Sequence, residues 1–348
     1  MARMSAGAVI VGGFSGYELP RSFEQALLRK ECAGAILFKR NISHEIDQIA
    51  ALNTSIARAL SSALVAVDQE GGRVARLGTP FLKLPAARVV AERGGVSLVV
   101  RAAQAQAKEL RALGFTLNFA PVLDIHSEPS NPIIGDRAFS SNPTEAARLG
   151  VAFGIALQAA GILACGKHFP GHGDTTVDSH LALPIVNIPT ETLQARELVP
   201  FRAASELASL MTAHVVYSAL DEELPATLSK KIATDLLRND IGYKGALFSD
   251  DLEMKAIGLD IESSSVMSIA AGCDLLLICS SEDLRHRAFE ALTHEAERSP
   301  TFRARLADAA RQSETLSGRV PPSAALAGEA LRRAFGSKEA RELEQALS

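Results

Sequence analysis

The sequence predicts an α/β protein of the (β/α)8 TIM-barrel class, a single domain with a C-terminal helical extension. Short apolar runs typical of buried parallel strands recur eight times, and helical patterns lie between them. The runs are residues 8–11, 35–38, 64–67, 115–119, 162–165, 210–213, 246–248 and 274–279. Eight strands that start 27 to 51 residues apart fill the chain to residue 280, which is the count and length of such a barrel.

Helical patterns separate the predicted strands, at residues 45–60, 97–113, 143–160, 191–208 and 230–238. Ser43, Asn142 and Ser229 precede three of them and are typical N-cap residues. A doubly wound open sheet is the alternative, but residues 12–16 lack the phosphate-binding glycine pattern usual after its first strand. We expect the barrel to occupy residues 1–300, and residues 301–348 to form helices packed on its outside.

The bulk composition limits the partners of the protein. The chain has 348 residues, is 22% charged and carries a net charge of -4, without basic runs. This charge argues against a nucleic-acid or membrane-surface partner and favours a small neutral or weakly charged ligand. No segment resembles a secretory signal or reaches bilayer-spanning length, so we expect a cytoplasmic protein, and a monomer. The four cysteines lack metal-ligand spacing and are expected to be reduced core residues.

One loop concentrates chemically active side chains. Residues 166–180 carry three histidines, two aspartates and a lysine directly after the fifth predicted strand. Pro170, Gly171 and Gly173 prevent a regular helix or ladder there, and barrels keep their chemistry at the carboxyl ends of strands. We therefore interpret this loop as part of the active site.

Other strand ends carry polar groups that would converge on the same face. They are Asp68 to Arg76 after strand three, Asp124 after strand four, Arg137 in a following loop, Lys167 and His168 after strand five, His214 after strand six, and Asp250 and Asp251 after strand seven. Such a mixture of carboxylates and cations suits a ligand rich in hydroxyls, which both donate and accept hydrogen bonds.

Four strings carry a family resemblance: 167–174 (Lys-His-Phe-Pro-Gly-His-Gly-Asp), 178–180 (Asp-Ser-His), 68–73 (Asp-Gln-Glu-Gly-Gly-Arg) and 248–252 (Phe-Ser-Asp-Asp-Leu). Over residues 5–300 the chain resembles glycoside hydrolase family 3, and most closely its bacterial single-domain β-N-acetylglucosaminidase branch of the NagZ type. The resemblance implies removal of terminal β-linked N-acetylglucosamine from small cell-wall fragments, N-acetylglucosamine-anhydro-N-acetylmuramic acid with or without peptide. It implies no cofactor and no metal.

The resemblance also implies roles for named residues. Asp250 would be the nucleophile of a retaining double displacement, and His180, held by Asp178, would be the acid and base. The hydroxyls of the terminal sugar would be held by Asp68, Arg76, Arg137, Lys167 and His168. His214 would line the pocket floor. An imidazole can protonate a leaving oxygen and then deprotonate water near neutral pH, which agrees with the role given to His180.

Several interpretations stay open. Asp251 competes with Asp250, because neighbouring strand residues point to opposite faces and only one would face the barrel centre. His172 and Asp174 are better explained as supports of the loop backbone. Arg73 and Arg76 can lie on the surface of a helix after strand three, and only Arg76 matches a ligand position of the family. Asp124 and His126 have no assigned role. Glu253 departs from the smaller residues common there in the family, and could alter the local charge.

Other functions also compete. A barrel metallohydrolase would use some of His168, His172, Asp174, His180 and His214, although the histidine pair usual after the first strand is missing. A sugar-binding module without catalysis, a β-glucosidase and a β-N-acetylglucosaminide phosphorylase are the remaining alternatives.

Overall fold

The computed structural model describes residues 2–175, 183–320 and 324–347. In these residues eight parallel strands form a closed barrel whose neighbours follow chain order, with the first strand pairing with the last. The strands are β1 (Ile10–Gly12), β2 (Gly34–Leu37), β3 (Leu64–Val67), β4 (Leu117–Asn118), β5 (Leu163–Phe169), β6 (Ser209–Thr212), β7 (Ala246–Asp251) and β8 (Leu275–Ile278). The predicted fold class is thus confirmed.

Helices surround the barrel and connect its strands. They are α1 (Ala2–Ala8), α2 (Arg21–Leu28), α3 (Ile46–Ala59), α4 (Ala87–Ala112), α5 (Pro143–Ala159), α6 (Thr190–Ala195), α7 (Val199–Ala203), α8 (Ile261–Ala271), α9 (Glu282–Arg298), α10 (Pro300–Ser317), α11 (Gly328–Arg333) and α12 (Lys338–Leu347), together with the π-helical segment Lys231–Asp240. No helix within the described ranges combines the length and the hydropathy that crossing a membrane requires.

The helical patterns are matched with two differences. Residues 191–208 form two short helices, α6 and α7, because Pro200 lies in the first turn of α7 and cannot continue a preceding helix. The helix α4 begins ten residues earlier than the predicted 97, but Gly94 and Gly95 leave helical geometry and divide it. Of the predicted caps, Asn142 accepts the Glu145 N–H at the start of α5.

The two remaining caps act just outside the expected pattern. The Ser229 hydroxyl accepts the Ile232 N–H before the π-helical segment. The Ser43 hydroxyl accepts the Glu45 N–H, but Ser43 is not the N-cap of α3, because the N-cap position is occupied by Glu45.

Two strands extend beyond the predicted apolar runs into polar residues. β5 continues to Phe169, since the Lys167 N–H donates to the Pro121 carbonyl and the Leu123 N–H donates to the Lys167 carbonyl. β7 continues to Asp251, with a bulge between Phe248 and Asp251 where its pairing with β8 shifts register. The polar residues at these two strand ends are therefore fixed by ladder hydrogen bonds and do not belong to loops.

The barrel interior is filled by apolar side chains from all eight strands. Phe119 and Phe248 meet edge to face there, with ring centroids 5.3 Å apart. Leu316 at the end of α10 belongs to the same interior cluster, and Val320 packs against it. The last turn of α10 thus contributes to the core at the end of the barrel opposite the polar strand termini.

The C-terminal helices lie against the outer layer. The helix α10 contacts α1, α8 and α9, α11 contacts α3, and α12 contacts α4. Phe335 packs on Phe81 with centroids 5.9 Å apart, and Leu343 is buried. The division of the chain at residue 300 remains a prediction.

Candidate active site

A pocket of about 290 Å³ opens at the carboxyl ends of the barrel strands. Its floor consists of apolar interior residues, Ile36, Phe119, Met211 and Leu277. Six of the predicted site residues line it, namely Asp68, Arg76, Arg137, Lys167, His168 and Asp250. The predicted acid/base residues, His180 and Asp178, lie outside the described residues.

An alternating network of charges forms one wall of the pocket. The Lys167 ammonium, 3% exposed, lies 2.9 Å from an Asp68 oxygen and 2.6 Å from Glu70 Oε1. Arg76 contacts the other Asp68 oxygen at 3.1 Å. Arg137 binds Glu70 with two parallel N–H···O bonds of 2.8 Å each. Each cation is thereby held in place by a carboxylate. The side chains of Arg76, Arg137 and Lys167 are therefore already ordered before a ligand binds, which lowers the entropic cost of binding.

This network sets the ionisation of its members. Burial favours a neutral Lys167, but the Asp68 and Glu70 carboxylates outweigh burial and raise the pKa of the ammonium. Burial likewise favours protonated Asp68, yet Lys167 and Arg76 hold the pKa of that carboxyl below its usual value. Arg137 and Lys167 lower the pKa of Glu70 against the same effect of burial. All of these groups are charged at neutral pH.

Asp250 enters the pocket from the end of β7. Burial would raise the pKa of its carboxyl, but His214, His168, the Asp251 N–H and Lys167 together lower it. The Asp251 N–H donates to Asp250 Oδ1 at 2.8 Å. An ionised carboxylate in a partly exposed position is the state that a nucleophile requires.

Asp251 also reaches the pocket, so the expectation that only one of the two aspartates would do so is wrong. The β7 bulge breaks the regular alternation of side chains. The Asp251 carboxyl accepts N–H groups of Glu253 at 3.1 Å and Cys279 at 3.3 Å, which ties β7 to the residue after β8. Burial, together with the nearby carboxylates of Glu253 and Asp250, raises the pKa of Asp251 to about 7. The pKa of Asp251 is therefore raised, whereas that of Asp250 is lowered.

Asp124, in the segment after β4, binds His168 and His172 at the start of the loop after β5. Its oxygens receive the His168 N–H at 3.1 Å, the His172 N–H at 2.7 Å and the His168 Nδ1 at 2.6 Å. The Asp124 side chain has no exposed surface. His172 Nδ1 lies 2.9 Å from the Thr175 hydroxyl, and burial lowers the pKa of the His172 ring to about 4. His172 thus lines the pocket as a neutral imidazole.

The loop itself is closely fitted to its neighbours. A side chain at Gly173 would place its Cβ 1.6 Å from the Ile125 carbonyl oxygen, and Gly171 has a φ of +134° against Glu197. The Asn131 amide donates to the carbonyls of His172 and Gly173. Gly173 is therefore required by the close approach of the Ile125 backbone, and Gly171 by its positive φ.

Asp174 and His172 bind the side chains of Arg196 and Thr175, whereas the alternative interpretation expected hydrogen bonds to the loop backbone. Asp174 pairs with Arg196 at 3.0 Å, and Arg196 also binds Glu197 at 2.6 Å. The pair joins the loop to the segment between α6 and α7. His172 does more than support the loop, because it also lines the pocket.

Two further residues differ from their expected places, and Glu253, which affects the pKa of Asp251 as expected of a local charge, also has backbone partners. His214 does not line the pocket, contrary to expectation. Its Nε2 lies 2.9 Å from the Asp251 carbonyl oxygen, and its Nδ1 lies 2.7 Å from the Thr227 hydroxyl. It therefore supports the end of β7. Arg73 follows the short strand Gln69–Gly71 and no helix, and it binds the carbonyls of Ile133 and Ile134. Glu253 accepts the N–H groups of Ser280 and Ser281 before α9, which explains a long carboxylate at that position.

Sequence reasoning missed the roles of Glu70, Asp124 and Asn131. Glu70 belongs to the string 68–73 that carries the family resemblance, but its partners are distant in the chain: Arg137 lies in a 3-10 turn and Lys167 on β5. The available signal was weak: Asp124 and Asn131 lie in loops that follow a strand end, where buried polar residues usually serve the site.

Metal binding has no support among the described residues. Within residues 2–175, 183–320 and 324–347, no group of three His, Cys, Asp or Glu side chains is arranged to hold a metal ion. The metallohydrolase candidates that are described, His168, His172, Asp174 and His214, are each bound to the protein partners given above. The four cysteines are buried and free, as expected.

Comparison with known proteins places this geometry in a family. The profile described as "Glycosyl hydrolase family 3 N terminal domain" matches residues 11–314. A curated relative, Beta-hexosaminidase from Pseudomonas aeruginosa, is 40% identical over 272 residues, which span 77% of this chain and 81% of the relative.

Solved structures agree with the sequence relatives. A glycoside hydrolase family 3 β-N-acetylglucosaminidase from Paenibacillus sp. str. FPU-7 superposes with a TM-score of 0.91 at 33% identity, covering 100% of this chain and 68% of that one. NagZ from Neisseria gonorrhoeae in complex with N-trifluoroacetyl-D-glucosamine superposes with a TM-score of 0.72 at 34% identity, covering 88% and 98% of the two chains.

Proposed function

The chain belongs to glycoside hydrolase family 3 as a β-N-acetylhexosaminidase, and on that premise we propose that it is a retaining exo-β-N-acetylglucosaminidase. The observation that carries this proposal is Asp250, an ionised carboxylate at the end of β7, in one pocket with Asp68, Arg76, Lys167 and His168. The pocket of about 290 Å³ has an apolar floor, and we infer that it accommodates one terminal sugar.

In the first step Asp250 attacks the anomeric carbon and the glycosidic oxygen leaves. A glycosyl-enzyme ester forms, and water then cleaves it with overall retention of configuration. The lowered pKa of Asp250 supports this role, since the attacking group must be deprotonated at neutral pH. The raised pKa of Asp251 and its two backbone hydrogen bonds make that residue unsuitable as the nucleophile.

The wall of alternating charges would hold the sugar hydroxyls. Asp68 accepts hydrogen bonds, whereas Arg76, Arg137 and Lys167 donate them, and His168 contributes a ring nitrogen. Since these groups are already paired with carboxylates, binding would cost little further ordering.

For the acid and base we propose His180, oriented by Asp178. The proposal rests on the resemblance and on the chemistry of an imidazole, which can deliver and accept a proton near neutral pH. His180→Ala should slow hydrolysis much more for a disaccharide than for a 4-nitrophenyl glycoside, because nitrophenolate needs little protonation to leave. Equal losses with both substrates would contradict a proton-transfer role and leave only a positioning one.

The proposed substrate is N-acetylglucosamine β-1,4-linked to anhydro-N-acetylmuramic acid, with or without peptide, as released during cell-wall recycling. We expect a cytoplasmic monomer that needs no cofactor, nucleic acid or membrane. The mildly acidic charge and the hydroxyl-binding pocket support a small carbohydrate partner.

The decisive test combines activity with trapping. Asp250→Asn should reduce kcat for 4-nitrophenyl β-N-acetylglucosaminide by roughly three to six orders of magnitude, as loss of a nucleophile does in covalent catalysis. Asp260→Asn, at the exposed N-cap of α8, is the matched control and should keep parental activity. Mass spectrometry after a slow 2-fluoro sugar substrate should locate the ester on Asp250. Labelling at Asp251, or activity of Asp250→Asn near the parent, would refute the assignment.

The related alternatives are separated by the products. NMR of the freshly released sugar should show the β-anomer of N-acetylglucosamine, and adding inorganic phosphate should not divert it to the 1-phosphate. A phosphate-dependent product would identify a phosphorylase, and faster cleavage of the β-glucoside would identify a β-glucosidase.

A further inference from the structure

We propose that Asp124 is a positioning residue that fixes the ring tautomer of His168 and thereby decides which hydrogen-bonding atom the pocket presents to the sugar. The inference rests on the proposed function for its consequence, but its physical basis is a contact among protein groups. Asp124 has no exposed surface and lies on a different strand segment from His168, 44 positions away along the chain.

The two oxygens of Asp124 have different tasks. Oδ1 accepts two backbone N–H groups, from His168 at 3.1 Å and from His172 at 2.7 Å. Oδ2 lies 2.6 Å from His168 Nδ1. Burial would raise the pKa of Asp124, but the interactions with His168 and His172 outweigh it and leave the pKa lowered, so this carboxylate is ionised and can only accept.

An acceptor at Oδ2 requires a proton on His168 Nδ1. In the neutral ring Nε2, on the opposite side of the imidazole from Nδ1, is then unprotonated, and His168 is one of the residues that line the pocket. The neutral ring therefore accepts a hydrogen bond from a sugar hydroxyl. If the partner of Nδ1 were a donor, Nε2 would carry the proton and could not accept that bond.

The substitution Asp124→Asn separates the contact of Oδ1 with the two backbone N–H groups from the contact of Oδ2 with His168 Nδ1. The two backbone N–H groups retain the side-chain carbonyl as their acceptor, so the amide NH2 replaces Oδ2. It donates to His168 Nδ1 and forces the proton onto Nε2. The loop keeps its anchor while the pocket atom changes from acceptor to donor.

The first measurement needs no variant. Long-range ¹H–¹⁵N NMR spectra of the parent protein, with the His168 signals assigned by their loss in His168→Gln, should show the Nδ1-protonated tautomer when the ring is neutral. An Nε2-protonated ring in the parent would overturn the proposal, even if Asp124→Asn failed to fold.

The second measurement compares variants. In Asp124→Asn, the His168 signals should switch to the Nε2-protonated tautomer, and kcat/KM for 4-nitrophenyl β-N-acetylglucosaminide should fall roughly 10- to 100-fold, as when a buried polar group is left without a matching hydrogen-bond partner. Thr175→Val is the matched control, since it removes the His172 Nδ1 contact in the same loop without touching His168. It should keep the His168 tautomer and stay within about threefold of parental kcat/KM.

Three results would overturn the proposal: a parental kcat/KM in Asp124→Asn, a loss of activity without a change of tautomer, or an equal loss in Thr175→Val. If the parent itself cleaved no β-N-acetylglucosaminide, the proposed function would fail, but the tautomer measurement would still decide the role of Asp124.

Discussion

At the scale of single residues, Glu70 connects the cations of the pocket. It binds Arg137 through both oxygens and Lys167 through one, although the sequence assigned it no particular role among the polar groups after strand three. Its 7% exposed side chain lies below the charged wall, where replacing it would leave two buried cations with one carboxylate fewer.

We predict that Glu70→Gln lowers the pKa of Lys167. Burial already favours the neutral amine, and two carboxylates now outweigh it, so removing one shifts the balance towards deprotonation. The alkaline limb of kcat/KM against pH should therefore move to lower pH, and N-acetylglucosamine should bind roughly tenfold or more weakly. A pH series of kinetic constants and a binding titration measure both effects.

The control for this experiment is Glu253→Gln. Glu253 is a carboxylate beside the same strand ends, but it accepts hydrogen bonds from Ser280 and Ser281 and takes no part in the cation network. Its alkaline limb should stay where the parent's is. If the limb of Glu70→Gln also stayed in place, Glu70 would not control the charge of Lys167.

The sequence strings identified the pocket residues, but not how they pair. Lys167 and Asp68 are 99 positions apart, and nothing in their spacing shows that they touch. Asp124 stayed without a role for the same reason, since its partners come from the next strand. Motifs predict which residues gather at a site, whereas hydrogen-bond partners depend on strand register, which the chain sets only when the barrel closes.

At the scale of elements, α4 carries a buried carboxyl whose charge is costly. Glu109 is 2% exposed and accepts the Leu82 N–H at 2.7 Å. Burial raises its pKa to about 7, with the Leu82 N–H and Lys108 opposing and Glu344 of α12 assisting. The loop before α4 and the helix α12 therefore both face a group that titrates close to neutral pH.

We predict that this carboxyl makes the protein less stable as pH rises. The native pKa of about 7 exceeds the ordinary value of 4.5, so the folded state binds more protons between these pH values. The free energy of unfolding should then fall from pH 4.5 to 7 and level off above that. Glu109→Gln should remove up to about 3 kcal/mol of this fall. Urea unfolding at pH 5 and pH 8 measures the difference.

Glu92→Gln serves as the comparison, because Glu92 is exposed on the same helix. Its pH dependence should match the parent. A Glu109→Gln protein that lost as much stability as the parent between the two pH values would show that Glu109 is ionised without penalty.

The periodicity of the chain predicted the elements well and their ends less well. All eight apolar runs became strands, but β5 and β7 extend into Lys-His and Asp-Asp pairs that look like loop residues when read alone. Their ladder bonds come from neighbouring segments, such as the Pro121 carbonyl that receives the Lys167 N–H. Hydrophobicity marks where a strand is buried, and a partner strand decides how far it continues.

At the scale of the whole molecule, the end of α10 completes the barrel core. Leu316 is 2% exposed within the interior cluster, and the rest of the helix covers α1, α8 and α9. The helices α11 and α12 instead pack on the outer faces of α3 and α4.

We therefore predict that two truncations behave differently. A chain ending at Gly318 keeps Leu316 and should fold. Its midpoint of thermal unfolding should be lower, because it lacks Leu331, Leu343 and Leu347, which are buried between α11 and α12 and the outer helices of the barrel. A chain ending at Ser299 should fail to give a soluble folded protein, because it leaves the barrel interior open and α9 uncovered.

Circular dichroism and thermal unfolding of the two purified proteins provide the test, with the 348-residue chain as reference. Equal stability of the two truncated chains would mean that α10 adds nothing to the barrel. Cooperative folding of the chain that ends at Ser299 would support a domain boundary at residue 300.

The apolar floor of the pocket also constrains the order of events in a turnover. Phe119, Met211 and Leu277 close the barrel beneath the pocket, so among the described residues the mouth of the pocket is the route by which a ligand would enter and depart. Under the proposed function the aglycone would lie nearer this entrance and would have to leave before the hexosamine behind it. Released hexosamine should consequently compete with incoming substrate for the empty enzyme, while the departed aglycone should bind to the glycosylated form and reverse its formation.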